Sequence, residues 1–430
     1  MIDPDIWPVA TAVDPRGRLR IGGVDVGRLA EREGTPLYIY DAETIRAAYR
    51  AYRAAFRPHR PVRISYAVKA CALRGVARVL SAAGADASAA SLGEVLAARR
   101  AGFPADRIQL HGNAKTESEL RAAVRARVGR IVIDGADEID RLSRIVTRRT
   151  ARLEVWLRVS PGIDAETHPH LRTGGLDSKF GAPLATGAAL DQARAIAATG
   201  RLRLVGVHAH LGTQLHEAER YRELGAALAA FASEATRSGA RIREIGVGGG
   251  LGIALRSGDP VLDLAAYAAA VSGPIRAAAG LSRVTLYLEP GRSLVGRAGV
   301  ALYHVVGIKR VAGVRTFVSV DGGMGDNIRP ALYGAAYTAV LAGRAATPAS
   351  ERVAVAGKYC ESGDLLIRDV ALPTPVSGEV LAVPGAGAYA VAMASNYNHH
   401  VRPAVVLLDR GRARLIRRRE THKDIWRLER

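Results

Sequence analysis

Chemically reactive side chains recur where short β-branched segments of this sequence end. Lys69 ends the first such segment, Glu289 ends the last one, and His210 and a glycine-rich turn over 248–252 come between them. A lysine amine can lose its proton and attack a carbonyl carbon, which a guanidinium cannot do. Only six of the 61 basic residues are lysine, so a lysine at a strand end indicates chemistry rather than surface charge.

A repeating strand–helix pattern is expected to position these side chains. From residue 62 onward, β-branched segments alternate with alanine- and arginine-rich stretches of helical period, which predicts a parallel sheet. Eight strands between Val62 and Arg292 favour a (β/α)8 TIM-like barrel, which typically takes ~250 residues, over an open doubly wound sheet. The predicted strands are Val62–Lys69, Ala85–Ser88, Ile108–Asn113, Arg130–Asp134, Leu153–Val159, Leu204–His210, Ile242–Gly248 and Val284–Glu289. The predicted helices include Arg74–Ala83, Leu92–Ala101, Glu117–Arg127, Ala185–Thr199 and Glu217–Ser238.

After residue 292 the sequence pattern changes to short β-branched segments separated by Gly/Pro turns, which predicts an all-β domain. We therefore predict N-terminal strands over 1–40 that join a C-terminal β domain at 293–430, with the barrel at 41–292. The predicted strands outside the barrel are Leu19–Ile21, Leu37–Tyr40, Gly299–Ile308, Thr316–Val320, Asp364–Val370, Glu379–Val383 and Ala404–Leu408, and Arg412–Arg419 alternates like a solvated strand face.

Function in a barrel lies at the carboxyl ends of the strands, so Lys69, His210 and Glu289 are expected to converge. A lysine beside a phosphate-binding turn suggests a Schiff base with pyridoxal phosphate. Glu289, facing the pyridine nitrogen, would favour its protonated form, which withdraws the electrons left when a bond at Cα breaks. The flat ring of His210 would cover one face of the cofactor.

Glycine-rich turns provide the expected phosphate site. The glycines over 248–252 let backbone N–H groups approach an anion, and Gly291 and Arg292 follow the eighth strand, where this barrel usually binds phosphate. The alternative is that these glycines merely end strands.

A metal site is a second interpretation of the same strand ends. His208 and His210 are two residues apart, and Asp86, which we place at the end of the second strand, and His111 could serve as further ligands. This set would leave Lys69 without a role, so we predict no metal. A plain core histidine remains an open alternative.

A series of ordered motifs resembles the barrel-type pyridoxal-phosphate decarboxylases, and within them the branch that converts diaminopimelate to lysine. The resemblance covers nearly the whole chain. The motifs are Tyr66-Ala-Val-Lys69-Ala, His111-Gly-Asn-Ala-Lys115, Thr167-His-Pro-His-Leu-Arg-Thr-Gly174, Ser178-Lys-Phe-Gly181, His208-Ala-His-Leu-Gly-Thr-Gln214, Gly248-Gly-Gly-Leu-Gly252, Glu289-Pro-Gly-Arg292, Asp321–Tyr333, Cys360-Glu-Ser-Gly-Asp364, Gly387-Ala-Tyr389 and Ser395-Asn-Tyr-Asn398.

The resemblance implies a role for each matching position. It implies that Lys69 is the Schiff-base lysine, that His210 stacks on the ring, and that Glu289 pairs with the pyridine nitrogen. The positions that would hold the cofactor and its phosphate are Gly249, Gly250, Gly291, Arg292 and Tyr389. The positions that would bind the substrate are Arg292, Arg329, Tyr333, Glu361 and Tyr389.

The resemblance also implies a homodimer with shared active sites. Cys360 matches the proton donor and Glu361 the acid that recognises the distal ammonium group, both reaching the site from the partner subunit. The expected reaction is decarboxylation of meso-2,6-diaminopimelate at its D-centre to L-lysine and CO2. An inert core thiol is the alternative for Cys360.

Departures from the family pattern at Cys71, His170 and Ala336 keep related substrates open. These are D-lysine, D-ornithine or a glutamyl group on a carrier protein. An alanine racemase would carry arginine in place of Glu289, a non-catalytic cofactor-binding protein would lack the β domain, and a regulatory pseudoenzyme would have lost the lysine or the thiol.

Composition bounds the partners and the compartment. The formal net charge is +20, but basic residues spread along the whole chain, so we predict no nucleic-acid partner. The two cysteines are too few for a disulfide scaffold, and the N-terminus lacks the pattern of an export signal. The longest uncharged stretch, Val380–Asn398, is interrupted by proline and glycine, so we expect no membrane span and a cytoplasmic location.

Overall fold

A computed structural model describes residues 2–146, 152–163 and 177–430. The chain divides into two compact units. The unit that we call the β unit contains the residues up to Ala48, Ile253–Pro260 and Arg292–Arg430, and the barrel unit contains Tyr49–Gly252 and Val261–Gly291. The domain bounds that we derived from the sequence, at 41 and 292, stay a prediction.

The N-terminal segment builds part of the β unit. Asp25 caps the first helix, because its side chain accepts a hydrogen bond from the Arg28 N–H. The elements are β1 (Thr11–Val13), β2 (Leu19–Ile21), β3 (Val24–Asp25), α1 (Val26–Glu33), β4 (Leu37–Asp41) and α2 (Ala42–Ala55), and the part of α2 from Tyr49 onward belongs to the barrel unit.

The barrel unit contains a closed ring of eight parallel strands, which confirms the predicted (β/α)8 fold class. The ring runs in the order β9-β11-β12-β13-β5-β6-β7-β8 and closes where β8 pairs with β9. The strands are β5 (Val62–Ala67), β6 (Asp86–Ala89), β7 (Ile108–Leu110), β8 (Arg130–Ile133), β9 (Leu153–Ser160), β10 (Ala182–Pro183, beside β9), β11 (Leu202–His208), β12 (Glu244–Gly246) and β13 (Thr285–Leu288). The helices are α3 (Arg74–Ala82), α4 (Leu92–Ala101), α5 (Glu117–Ala126), α6 (Ala136–Ile145), α7 (Ala188–Ala198), α8 (Ala218–Arg237) and α9 (Leu264–Ala277).

Six of the eight barrel strands end earlier than the sequence predicts, and β6 and β9 end one residue later. β5 ends at Ala67, two residues before Lys69, and β11 ends at His208, two residues before His210. The Ala67 N–H donates to the Pro290 carbonyl, so the chain after β13 contacts the last residue of β5. The chemically reactive residues therefore lie on the turns that follow the strands.

The prediction for Asp86 is wrong. Asp86 begins β6 rather than ending it, and both of its carboxylate oxygens accept hydrogen bonds from Arg63, at 2.5 and 2.8 Å. This ion pair lies at the amino end of the strand, away from the carboxyl ends where the predicted site lies. Asp86 is therefore a structural acid and belongs to no metal site with His111.

The β unit is built around a long strand, β14 (Gly299–Val311), which pairs antiparallel with β4, β15 and β19. The main sheet has the order β18-β17-β15-β14-β4-β20-β21, so β4 joins the C-terminal strands. The remaining elements are α10 (Arg292–Val295), β15 (Arg315–Val320), α11 (Arg329–Tyr333), β16 (Val340–Leu341), β17 (Glu351–Ala356), β18 (Leu365–Leu372), β19 (Val380–Val383), β20 (Ala404–Asp409), β21 (Arg412–Arg417) and α12 (His422–Trp426).

The first three strands form a separate three-stranded sheet. Leu19 and Ile21 of β2 nevertheless pack into the same apolar core as Leu37 and Val300. The prediction that N-terminal strands belong to the β domain is therefore confirmed. No helix in the described ranges is both long enough and apolar enough to cross a bilayer.

Candidate active site

Lys69 presents its side chain to solvent just after β5. Its neighbours Val68 and Ala70 are buried, whereas Lys69 is exposed. The Tyr66 hydroxyl donates to the Cys71 carbonyl at 2.8 Å, which fixes the turn that carries the lysine. An amine held in this way is accessible to a carbonyl reagent.

Glu289 is a buried acid that two imidazoles contact. Its Oε2 atom lies 3.0 Å from His208 Nε2, its Oε1 atom lies 2.8 Å from His111 Nε2, and its side chain is 8% exposed. Burial alone would favour the neutral acid, but His111 and His208 outweigh burial and hold the pKa of Glu289 well below its usual range. Glu289 is therefore ionised at neutral pH.

His208 is a neutral partner of this carboxylate. Burial lowers the pKa of His208 to about 4, against the opposing effect of Glu289. The ring lies parallel to Trp156, with 6.5 Å between centroids, and edge-on to His111 at 4.7 Å. Packing on both sides thus fixes the Nε2 atom toward Glu289.

His111, His208 and Glu289 could also hold a metal ion, because their ligand atoms lie within 4.8 Å of one another. This trio differs from the set that the sequence suggested. The 2.8 and 3.0 Å contacts already pair both imidazoles with the carboxylate, so the contacts require no ion.

The glycine-rich turn holds the ring of His210. The Gly249 N–H donates to His210 Nδ1 at 3.3 Å, which leaves the Nε2 atom to carry the proton of a neutral ring. Burial, and then Lys69 and Arg158, lower the pKa of His210 well below its usual value. Its ring is therefore uncharged and fixed, as a stacking group must be.

The glycines of the site are required by close backbone approach. A Cβ atom on Gly249 would lie 2.3 Å from the Glu289 carbonyl oxygen, and one on Gly250, at φ +102°, 2.5 Å from that of Gly212. A Cβ atom on Gly291 would lie 3.0 Å from the Cβ atoms of both Ala67 and Ala70. A structural role of these glycines is thus established, and phosphate binding is compatible with it.

Lys115 anchors the loop that carries His111, a role the sequence did not reveal. Its Nζ atom donates to the carbonyls of Gly112, at 2.5 Å, and Val132, at 2.8 Å, and lies 2.9 Å from Glu138. Because both charged side chains are almost fully buried, losing either one would leave the other unpaired.

Two arginines of the β unit, Arg292 and Arg329, are buried. The guanidinium of Arg292 lies 4.9 Å from the centroid of the Tyr389 ring, and Arg329 Nη1 donates to the Tyr337 hydroxyl at 2.8 Å. Burial, and then the neighbouring charge of Arg329, lower the pKa of Arg292 to about 10. Arg329 Nε has no hydrogen-bond partner among the described residues. These cations suit a bound carboxylate, which a guanidinium can meet with two parallel hydrogen bonds.

Three other predicted residues of the β unit lie nearer the surface. Tyr333 ends α11, one helical turn after Arg329, and is partly buried. Cys360 and Glu361 lie on an exposed loop. The exposure of Cys360 excludes the inert core thiol that was its alternative.

The structure therefore assembles the predicted residues in two sets. The barrel unit carries Lys69, His210, Gly249, Gly250, Glu289 and Gly291, and the β unit carries Arg292, Arg329, Tyr333, Cys360, Glu361 and Tyr389. The motif Thr167–Gly174 and the departure at His170 lie outside the described residues. Sequence reasoning missed Tyr337 and the anchoring role of Lys115. Lys115 lies in one of the quoted motifs, but its partners Val132 and Glu138 are 17 and 23 residues away in the chain.

The barrel residues fit pyridoxal phosphate. An exposed amine, an uncharged fixed imidazole and an ionised buried carboxylate are the groups that the aldehyde, the ring and the pyridine nitrogen need. The glycine turns leave backbone room beside them for an anion.

Comparison with known proteins agrees with this fit. Residues 42–296 match the family described as "Pyridoxal-dependent decarboxylase, pyridoxal binding domain". The chain is 40% identical to a diaminopimelate decarboxylase of Bacillus subtilis (strain 168), over 96% of this chain and 95% of that protein. It is 42% identical to one of Actinosynnema pretiosum, over 100% of this chain and 96% of that protein.

Solved structures give the same result. The diaminopimelate decarboxylase of M. jannaschii in co-complex with L-lysine superposes with a TM-score of 0.92 at 32% identity, covering 98% of each chain. A lysine/ornithine decarboxylase of Vibrio vulnificus superposes with a TM-score of 0.76 at 22% identity, which shows a shared fold alone.

Proposed function

Since the chain belongs to the family of pyridoxal-dependent decarboxylases, we propose that it decarboxylates meso-2,6-diaminopimelate at its D-centre to give L-lysine and CO2. The observation that carries this proposal is the pair of buried guanidinium groups, Arg292 and Arg329, in a chain that aligns end to end with diaminopimelate decarboxylases. A substrate with a second, distal carboxylate supplies an anion that guanidinium groups can bind with two parallel hydrogen bonds.

Each residue that is predicted to bind the cofactor would have its own task. Lys69 would bind it covalently, His210 would cover one ring face, and Glu289 would keep a proton on the pyridine nitrogen. Gly249, Gly250 and Gly291, with Arg292 and Tyr389, would hold its phosphate end. When bound, pyridoxal phosphate accepts the electron pair that remains when CO2 leaves Cα.

The two histidines make Glu289 suitable for this role. A carboxylate that stays ionised while buried offers its charge to the pyridinium without competition from water. His111 and His208 contact one carboxylate oxygen each, so the carboxylate plane is fixed. Fixed charge costs no reorganisation when charge develops during the reaction.

Residues of the β unit would recognise the substrate. Arg292, Arg329 and Tyr333 would bind the distal carboxylate, with Tyr389 beside them. Glu361 would pair with the distal ammonium group. Substrates lacking the distal carboxylate would leave a buried arginine unpaired, a cost of about 3–5 kcal/mol.

Cys360 would return the proton to Cα through its Sγ atom. We propose that Cys360 and Glu361 act in the active site of a partner subunit, so that the enzyme is a homodimer. Their exposure on a loop supports this arrangement, since both side chains are available to a second chain. A free thiol in this role also suits a reducing compartment, so we propose a cytoplasmic location.

Substitution of Lys69 tests the proposal. We expect Lys69→Ala to remove the visible absorption of the bound cofactor and to lower CO2 release below about one-thousandth of the parent rate. The matched control is Lys309→Ala, an exposed lysine of β14, which should retain both signals.

Substrate choice is tested on the parent protein. CO2 release from meso-diaminopimelate should exceed that from D-lysine, D-ornithine and a glutamyl carrier-protein conjugate. Faster release from any of the other three would identify that compound as the substrate instead. A fully active Lys69→Ala variant would refute the covalent role of the lysine.

A further inference from the structure

The loop that carries Cys360 and Glu361 is fixed at its base but exposed at its tip. At the base, the buried Asp364 accepts hydrogen bonds from the N–H groups of Tyr359, at 2.9 Å, and Met324, at 2.6 Å. Cys360 and Glu361 are exposed. The hydrogen bonds at the base therefore do not fix the side chains of the two residues at the tip.

A second segment, 395–400, contacts both residues at the tip. The Cys360 N–H donates to Asn398 Oδ1 at 3.1 Å, and the Tyr397 hydroxyl donates to Glu361 Oε1 at 2.5 Å. The rings of Tyr359 and Tyr397 stack at an interplanar angle of 7°, with 6.2 Å between centroids. Adjacent residues of one segment thus each hold one of the two adjacent residues at the tip.

The backbone of the segment is shaped for this contact. Asn398 has φ 52° and ψ 24°, in the left-handed region that asparagine and glycine tolerate best. With a helical or extended backbone at this position, the Cα–Cβ bond of Asn398 would point in a different direction. The unusual backbone conformation therefore goes together with the contact to Cys360.

The segment is itself anchored to the rest of the β unit. Ser395 N–H donates to the Gly325 carbonyl at 2.8 Å, and Asn396 Nδ2 donates to Glu420 at 2.8 Å. Glu420 also binds Arg402 Nε at 2.6 Å, and the pKa of Glu420 falls to about 2 because these donors outweigh its burial. Asn398 and Tyr397 are thus presented from a fixed base.

We propose that Asn398 and Tyr397 are positioning residues of the reaction, Asn398 for the Cys360 thiol and Tyr397 for the Glu361 carboxylate. The inference rests on the proposed function and assigns these two residues separate tasks within it. Asn398 orients the group that returns the proton, so its loss acts on kcat. Tyr397 orients the group that pairs with the distal ammonium, so its loss acts on KM.

Paired variants of Asn398 test the first task on the cofactor-loaded protein. Asn398→Gly keeps the left-handed backbone but removes the acceptor, whereas Asn398→Asp keeps an acceptor oxygen at Oδ1. We expect Asn398→Gly to lower kcat for meso-diaminopimelate about fivefold, the factor that one hydrogen bond contributes, with KM nearly unchanged. Asn398→Asp should retain most of the parent kcat.

Alkylation of Cys360 by iodoacetamide provides a readout that does not depend on turnover. Cys71 is buried and Cys360 is exposed, so the labelled site, identified by mass spectrometry, reports on Cys360. We expect the alkylation rate to change at least about threefold in Asn398→Gly and to stay at the parent value in Asn398→Asp and Tyr397→Phe.

Tyr397→Phe tests the second task, since it removes only the hydroxyl and keeps the ring on Tyr359. KM should rise about fivefold with kcat nearly unchanged. If both variants showed the same fall in kcat and the same rise in KM, the substitutions would have disordered the whole loop, and the inference would be overturned. An unchanged alkylation rate in Asn398→Gly would also overturn it. Absence of decarboxylation in the parent protein would instead refute the proposed function while leaving the alkylation comparison valid.

Discussion

Charge is handled in opposite ways in the barrel unit and the β unit. In the barrel unit, the buried Glu289 is in contact with two imidazoles, and the buried Lys115 pairs with Glu138. In the β unit, the buried Arg329 has a tyrosine hydroxyl as its hydrogen-bond partner and one donor nitrogen without a partner among the described residues. In the first arrangement each buried charge has ionisable side chains 2.8–3.0 Å away, whereas Arg329 has no acidic partner among the described residues.

This difference is the one that the proposed division of tasks requires. Groups that tune a permanently held cofactor are best fixed before any substrate arrives, because reorganisation during the reaction raises the barrier. Groups that select a substrate gain most when the ligand supplies the missing charge, since a wrong ligand then leaves a buried charge unpaired. The contrast therefore predicts different consequences for substitutions in the two units.

The largest expected effect is that of Glu289→Gln. The amide keeps the shape but removes the charge that favours a protonated pyridine nitrogen. We expect kcat to fall about 10²- to 10³-fold, the range for loss of one preorganised electrostatic contact, with a shifted absorption maximum of the bound cofactor. The control is Glu234→Gln on the exposed face of α8, which should leave kcat at the parent value. An unchanged kcat in Glu289→Gln would contradict the proposed electrostatic role of the barrel unit.

The second expected effect is a pair of opposite pH dependences. The pKa of His208 lies at about 4 in the folded barrel unit, below the usual 6.5, because its ring is buried. Between these values the unfolded chain binds more protons, so the stability that His208 contributes is lost as the pH falls, by roughly 3 kcal/mol.

Asp326 in the β unit has the reverse sign. Burial raises its pKa from 3.8 to about 6, although the hydroxyls of Tyr303 and Tyr38 and the Gly323 N–H oppose the shift. The folded state then binds the extra proton, so the stability contributed by Asp326 falls by roughly 3 kcal/mol as the pH rises through this window.

Hydrogen exchange at pH 4.5 and 7 separates the two contributions by unit. In the parent protein, peptides of β11 should be better protected at pH 7 than at pH 4.5. In His208→Gln most of this difference between the two pH values should disappear. In Asp326→Asn, peptides covering 321–333 should instead gain protection at pH 7 relative to pH 4.5, compared with the parent protein. The same change in both units would contradict the contrast.

The smallest expected effect is that of Arg329→Lys. Lysine keeps the positive charge but cannot form two parallel hydrogen bonds to one carboxylate. We expect KM for the dicarboxylate substrate to rise about tenfold, the value of one hydrogen bond to a charged group, with a smaller change in kcat. Arg310→Lys, at an exposed pair with Glu351, is the matched control and should leave KM at the parent value.

The eight barrel strands and the types of the reactive residues were predictable, but the partners of those residues were not. In the β unit the prediction missed β17, among other strands. Lys69 and Glu289 stand out because a rare lysine and an acid each follow an apolar strand. Asp86 was misplaced because the four-residue segment around it does not reveal at which end of the strand the acid lies. The pairing of Glu289 with His111 joins residues far apart in the chain, which no local pattern encodes.

The sequence by itself determined the alternation of strands and helices and the chemical identity of the proposed catalytic groups, because period, residue type and ordered motifs are local properties. Only the tertiary structure decided which of these groups are charged and which await a ligand. Burial and neighbouring charge set protonation, and both arise when distant segments come together, as at Glu289 with its histidines and at Arg329 beside Tyr337.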